Sequence, residues 1–254
     1  MEIRVQILLE QIKHMSIQTF GTNLVGVYVH GSLALGCFSW ENSDIDFIVV
    51  LEHVPTQAQK EDYISELLDI NKNSPPKGLE MSIVLEKVTR QFVYPTPFEL
   101  HFSKTHFKRC TENISEYCQH MHGTDKDLAA HFTMINHSCM TVYGKPAKET
   151  FGEVPEKDYW DSMVYDIENA QEDILENPVY IILNLCRVLA YRYDKLILSK
   201  KDGGYWGMAH LDEPYGGLIK NALDIYQGSA SCELEADENC LFEFAKYAHN
   251  LIFA

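Results

Sequence analysis

The stretch YVHGSLALGCFSWENSDIDFIVVL, residues 28–51, decides how this chain is read. Upstream of it, Leu24 to Val29 is apolar and rich in β-branched residues and then stops at Gly31, which predicts a buried strand ending in a turn. A second buried strand is predicted from Ile45 to Leu51. Asp44 and Asp46 stand at its start with one residue between them. Strand side chains alternate faces, so both carboxylates point the same way, roughly 6.5–7 Å apart along the strand. Two hard oxygen ligands at that spacing suit magnesium. Gly31 and Ser32 offer backbone N–H groups and a hydroxyl with little side-chain bulk, as the close approach of a polyphosphate requires. Turn and carboxylate pair together describe a site for a nucleoside triphosphate and its metal.

A third acid joins the pair if the next strand lies beside this one. In Leu79-Glu-Met-Ser-Ile-Val-Leu85, the residues Glu80, Ser82 and Val84 alternate with Met81, Ile83 and Leu85, so Glu80 leads one face of a short strand. From there it is placed to reach the metal or to take a proton from a hydroxyl.

Outward from this unit, residues 2–19 carry an apolar stripe (Ile3, Val5, Ile7, Leu8, Leu9, Ile12, Met15) that predicts an amphipathic helix over the sheet. A second helix is predicted from Gln57 to Asn71, ended by Asn73-Ser-Pro-Pro-Lys-Gly78. Phe98 to Phe102 reads as an edge strand, because the nearby Pro95 and Pro97 exclude it from a central place. From about Asp125 the character changes, with helices predicted over 128–142, 157–175, 179–198, 217–227 and 238–253. The expected architecture is therefore an α/β domain with a small mixed sheet over residues 1–124, followed by an all-α domain over 125–254. Gly228 to Glu238 reads as a solvated polar loop.

Composition narrows the function. The 254 residues carry 21 Lys and Arg against 37 Asp and Glu, a net charge of −16, which argues against binding nucleic acid and favours a cationic small molecule. No apolar run reaches the length of a membrane span, and the N-terminus lacks a signal-peptide pattern, so a cytoplasmic protein without membrane contact is expected. The seven cysteines are odd in number and form no C-x-x-C, which predicts free thiols.

Gly-Ser, eleven residues, Asp-x-Asp and a strand-borne Glu together resemble the nucleotidyltransferase superfamily. The resemblance continues through Tyr94-Pro-Thr-Pro-Phe-Glu-Leu100, Asp125-Lys-Asp127-Leu-Ala, Tyr143-Gly-Lys-Pro, Leu183-Asn-Leu-Cys-Arg187 and Lys201-Asp202, in the order found in aminoglycoside (3'')(9) adenylyltransferases. It implies a diverged enzyme that moves AMP from ATP to an antibiotic hydroxyl, using two magnesium ions; a monomer is expected, though the sequence does not fix the oligomeric state. Asp44, Asp46 and Glu80 would hold the metals, with Glu80 also the base; Gly31, Ser32 and Ser43 would meet the phosphates. Arg187 and Lys201 match positions that touch the triphosphate there, and Asp127 and Tyr226 match positions near the nucleotide. Plain alternatives stand beside these: a helix N-terminal acid for Asp127, core for Tyr226, a surface ion pair for Arg187, and Lys200 in place of Lys201. Where the family has Gly-Glu-Trp, this chain has Ser103-Lys-Thr-His106, so the aromatic residue is lost unless His106 or Phe107 replaces it. Where the family has Gly-Asp-Glu, it has Glu172 to Pro178 with Asn177 at the Asp position, leaving Asp173 and Glu176 to meet the acceptor's cationic groups. A nucleotidyltransferase for a lincosamide or a protein side chain, and a non-catalytic nucleotide-binding protein, remain as alternatives.

Overall fold

The computed structural model describes residues 2–229, 234 and 236–254. The chain folds as two compact units, Met1–Tyr159 and Trp160–Ala254. The first unit runs α1 (Ile3–Phe20), β1 (Leu24–Val29), α2 (Gly31–Ala34), β2 (Ile45–Leu51), α3 (Gln57–Asn71), β3 (Leu79–Leu85) and α4 (Glu86–Arg90). It continues through β4 (Thr96–Phe98), β5 (Leu100–Phe102), α5 (Phe107–Glu112), α6 (Ile114–His120), β6 (Gly123–Asp125), α7 (Leu128–His137), β7 (Met140–Gly144) and α8 (Ala147–Thr150). The sheet has the order β5-β3-β2-β1-β7, with β2 and β3 parallel and every other pair antiparallel.

Both faces of this mixed sheet are covered, which is why β2 is buried almost throughout. One face carries Phe47, Val49, Met81 and Ile83 against the stripe of α1 and against Tyr63, Ile64 and Leu67 of α3. A capping box starts α3: the Thr56 hydroxyl accepts from the Gln59 N–H while the Gln59 side chain accepts from the Thr56 N–H. The other face carries Tyr28, Ile48, Val50 and Val84 against Leu128, Phe132 and Ile135, spaced as one side of α7. Sequence character changes near residue 125, but α7 packs on the sheet, so the compact units divide later, at residue 159.

Four elements differ from expectation, one of them the helix expected over 179–198, which ends at Asp194 where Lys195 turns left-handed. The helix expected over 128–142 stops at His137, and Met140–Gly144 instead pairs with β1 as an edge strand. The edge strand expected over 98–102 is β5 alone, while β4 pairs with β6 in a separate two-stranded sheet. In the helical region, the span 157–175 breaks into α9 (Glu156–Asp166) and α10 (Ala170–Asp173).

The second unit is built around α11 (Pro178–Asp194), whose inward residues Ile182, Leu183, Leu185, Cys186 and Leu189 are buried. Against it pack α12 (Lys200–His210), α13 (Tyr215–Tyr226) and α14 (Glu238–Phe253). No helix signal covers α12 in the sequence, since Gly203, Gly204 and Gly207 read as breakers. They are points of close approach: a Cβ would lie 2.6 Å from Arg187 Cγ at Gly203, 2.8 Å from a Leu183 methyl at Gly204 and 2.5 Å from Cys186 Sγ at Gly207. Six cysteines are free thiols, while Cys232 and part of the polar loop expected over 228–238 lie outside the described residues. Among the described residues no helix is long and apolar enough to cross a membrane.

The close approach of β7 to β1 gives a stability test. Gly144 has φ +92°, and a Cβ there would overlap the Val25 carbonyl and lie 2.8 Å from Gly26 Cα. Gly144→Ala is expected to cost about 2–4 kcal/mol from left-handed strain and overpacking. Gly217→Ala, in a helix with open space at the Cβ position, is expected to be neutral or to stabilise by up to about 1 kcal/mol. Urea unfolding midpoints of the two variants check the contrast.

Candidate active site

The parallel register of β2 and β3 pairs Asp46 directly with Glu80. Side chains at paired positions share a face, so the two carboxylates project together, and Asp44, one step before the strand, joins them. The three offer carboxylate oxygens that all lie within 4.8 Å of one another, each on a half-buried residue. The neighbouring strand foreseen from the sequence is thus β3, and it places Glu80 beside the Asp-x-Asp pair.

Gly31 follows β1 with φ +64°, and a Cβ on it would overlap Asp46 Oδ2. Glycine is required twice, by the left-handed backbone and by the approach of the acid. The turn is tied to β2 by the His30 N–H, which donates to the Asp46 carbonyl at 3.1 Å. Beyond Gly31, the Ser32 hydroxyl is buried with no hydrogen-bond partner among the described residues. Burying an unpaired hydroxyl costs about 1–3 kcal/mol, and this one can donate without giving up a bond inside the protein. Ser43 is different: its hydroxyl accepts from the Ser39 N–H at 3.2 Å and closes the turn before β2.

A group of histidines borders the acids, and of these only His106 is legible as a site residue in the sequence. Asp127 precedes α7, and His131 lies one turn on; His131 Nε2 is 3.1 Å from Asp127 Oδ2 and 3.9 Å from Glu80 Oε1. The i,i+4 spacing of Asp127 and His131 is the one local signal for it. Burial opposes charging the His131 ring, but the Asp127, Glu80 and Asp46 carboxylates outweigh it and push the ring up to about 10. Its Nδ1 is buried without a partner among the described residues. The His30 ring packs against it with centroids 4.7 Å apart, and burial together with the charge of His131 holds His30 well below the usual range. His101 accepts or shares a hydrogen bond with Ser82 at 2.9 Å and is brought down to about 4 by burial, then by His106 and His131. His106 itself stands edge-on to His101, with centroids 5.5 Å apart.

The remaining candidates belong to the second unit. Arg187 projects from α11, and its Nη1 donates to Asn184 Oδ1 at 3.2 Å; no carboxylate pairs with it among the described residues. Asn184 in turn donates to Asp166, which also accepts from the Tyr180 hydroxyl. Lys201 is half-buried in the first turn of α12, where Ser199 caps the helix by accepting from the Asp202 N–H. The neighbouring Lys200 lies over the Tyr180 ring, 4.2 Å from its centroid. Tyr226 ends α13, and Asp173 and Glu176 are exposed at and just beyond α10.

The site fits magnesium by its donor set, since three clustered carboxylates supply the hard oxygens that ion prefers. It fits a polyphosphate by the side-chain-free turn and the orphan Ser32 hydroxyl.

Residues 9–110 match the model of the nucleotidyltransferase domain, and residues 149–250 match the aminoglycoside adenylyltransferase C-terminal domain. The chain is 23% identical over 256 residues to a spectinomycin 9-adenylyltransferase from Staphylococcus aureus, covering 95% of each. It is 19% identical to a protein of the same name from Campylobacter jejuni, covering 88% of this chain and 86% of that one. Its fold matches a spectinomycin adenyltransferase from Enterococcus faecialis, solved with ATP and spectinomycin, with a TM-score of 0.82 at 20% identity over 98% of this chain and 99% of that one. The two domain models, matched in order and together spanning most of the sequence, place the chain as a diverged member of the aminoglycoside adenylyltransferase group of nucleotidyltransferases.

Proposed function

We propose that the protein transfers AMP from ATP to a hydroxyl of an aminoglycoside-type antibiotic of the spectinomycin and streptomycin class, releasing pyrophosphate. The observation that carries this reading is the assembly of Asp44, Asp46 and Glu80 beside the Gly31-Ser32 turn with its unpartnered hydroxyl. The relatives named for spectinomycin support the choice of acceptor, and the net charge of −16 suits a cationic one. The reading carries with it a cytoplasmic, monomeric enzyme.

In the reaction the acceptor oxygen forms a bond to the α-phosphorus, the bond from that phosphorus to the bridging oxygen breaks, and pyrophosphate leaves with the electron pair. Glu80 takes the proton from the acceptor hydroxyl, a role open to an ionised carboxylate at a site edge. Ser32 donates its hydroxyl to a phosphate oxygen, and the bare backbone at Gly31 lets the phosphates approach. Asp44, Asp46 and Glu80 would hold magnesium, two ions in this reading. When bound, the metal offsets charge on the triphosphate and on the attacking oxygen. Arg187 and Lys201 bind phosphate, Asp127 and Tyr226 border the nucleotide, and His106, Asp173 and Glu176 face the acceptor. The fork of Arg187 keeps donors available because it is held by an amide rather than a carboxylate.

Pyrophosphate release with ATP and magnesium, measured across spectinomycin, streptomycin, other aminoglycosides and lincosamides, tests the reaction. Turnover with spectinomycin or streptomycin is expected, and release with no aminoglycoside would overturn the assignment. Asp46→Asn is expected to reduce turnover by roughly 10²–10³-fold, matching the several kcal/mol that metal stabilisation supplies. Near-normal turnover would remove Asp46 from the metal site. Glu80→Gln is expected to keep ATP affinity near the parent's and to lose roughly 10²–10⁴-fold in rate. Loss of ATP binding instead would make Glu80 chiefly a ligand. Arg187→Ala is expected to weaken ATP binding more than acceptor binding, and calorimetry with both ligands reads the difference.

A further inference from the structure

A second group of ligand atoms lies next to the all-carboxylate triad. Glu80, Asp127 and His131 also place one oxygen or nitrogen each within 4.8 Å of one another. They come from three separate places in the first unit: the start of β3, the residue before α7, and the first turns of α7. We propose that Glu80, Asp127 and His131 form a second, nitrogen-bearing cation position that takes a borderline divalent ion of the Mn2+ or Zn2+ kind in preference to Mg2+.

Geometry supports this. Ligands about 2.1 Å from a common ion stand roughly 3 Å apart when adjacent and roughly 4 Å apart when opposed. The Nε2 separations of 3.1 Å to Asp127 and 3.9 Å to Glu80 fall on that scale without rearrangement. The ring is immobilised by the His30 ring against its side, so Nε2 is held toward the acids at little entropic cost. The imidazole also sets the preference. Magnesium favours oxygen ligands and keeps its waters, whereas imidazole suits zinc and the later first-row ions. On binding, the ion replaces the Nε2 proton, which leaves to solvent. The other ring nitrogen has no acceptor among the described residues, and a ligand histidine lacking that support binds about 10–100-fold more weakly, so a moderate affinity is expected.

Manganese is the probe, because its electron spin reports directly on a bound nitrogen and it avoids the seven thiols that would draw zinc. Purified full-length chain freed of metal is loaded with Mn2+ and examined by electron-spin-echo spectroscopy, alone and with excess Mg2+. A histidine nitrogen modulation that survives magnesium is expected; absence of the modulation, or its complete removal by magnesium, would overturn the proposal. His131→Leu is expected to abolish the modulation and weaken one Mn2+ site by about tenfold or more, while Asp44→Asn leaves the modulation in place. Modulation that persists in His131→Leu would place the nitrogen elsewhere and refute the assignment. Should that variant fail to fold, His131→Asn serves the same purpose, and the parent spectrum alone already decides the first arm. Although Glu80 is shared with the transfer reading, neither nucleotide nor antibiotic enters the measurement, so failure here leaves that reading standing.

Discussion

The parallel pairing of β2 with β3, which sets Asp46 opposite Glu80, is the constraint on which the rest of the first unit depends. A slip of one residue would turn every side chain on β3 to the other face, removing Glu80 from the acids and Met81 and Ile83 from the core. Site and core are therefore specified by one register. The site opposes it, since carboxylates with oxygens within 4.8 Å of one another repel by on the order of 3 kcal/mol per pair at an effective dielectric of 20. The fully buried Phe47, Val49, Met81 and Ile83 offset that repulsion, each favouring the native register by roughly 1.5–3 kcal/mol of burial. His131 supplies the local counter-charge.

Asp46 also governs the turn. Its carbonyl accepts from the His30 N–H, fixing where β1 ends, and its carboxylate fills the space that a side chain at residue 31 would take. One residue thereby sets both the exit of β1 and the bareness of the backbone that follows. This explains why a glycine and an aspartate so far apart in sequence act as a unit: each is the steric condition of the other.

The parts legible in the sequence were those carried by local pattern. The α1 stripe, the β-branched runs of β1 and β2, and the alternation of β3 each bury a face that their period announces. Asp44 and Asp46 were legible because alternation alone puts them on one face, and Glu80 needed only the guess that β3 lies beside β2. What escaped depends on partners distant in the chain. Residues 140–144 have helix-compatible apolar content and become a strand because β1 offers a free edge. The glycines of α12 look like breakers until α11 lies against them. His131 is one turn from Asp127, but nothing local tells that Glu80 also faces it. Ser43 stands out in the sequence for its place before the Asp-x-Asp pair, while its acceptance of the Ser39 N–H, which ties it to the turn, shows only in the fold.

In the second unit, packing and chemistry meet at Arg187. A Cβ at residue 203 would press on Arg187 Cγ and its backbone, so the glycine that lets α12 seat on α11 also leaves room for the base of this side chain. At its far end the guanidinium is steadied by Asn184, whose amide is turned by donating to Asp166, itself held by Tyr180. An arginine paired directly with a carboxylate would have its charge neutralised at home. Here the acid is one residue removed, so it orients the amide and the amide orients the arginine, and no carboxylate among the described residues pairs with the guanidinium. The same logic accounts for the polar contacts of Tyr180, Asn184 and Arg187 running along a helix whose other side is apolar: α11 is a core element that delivers one oriented cation.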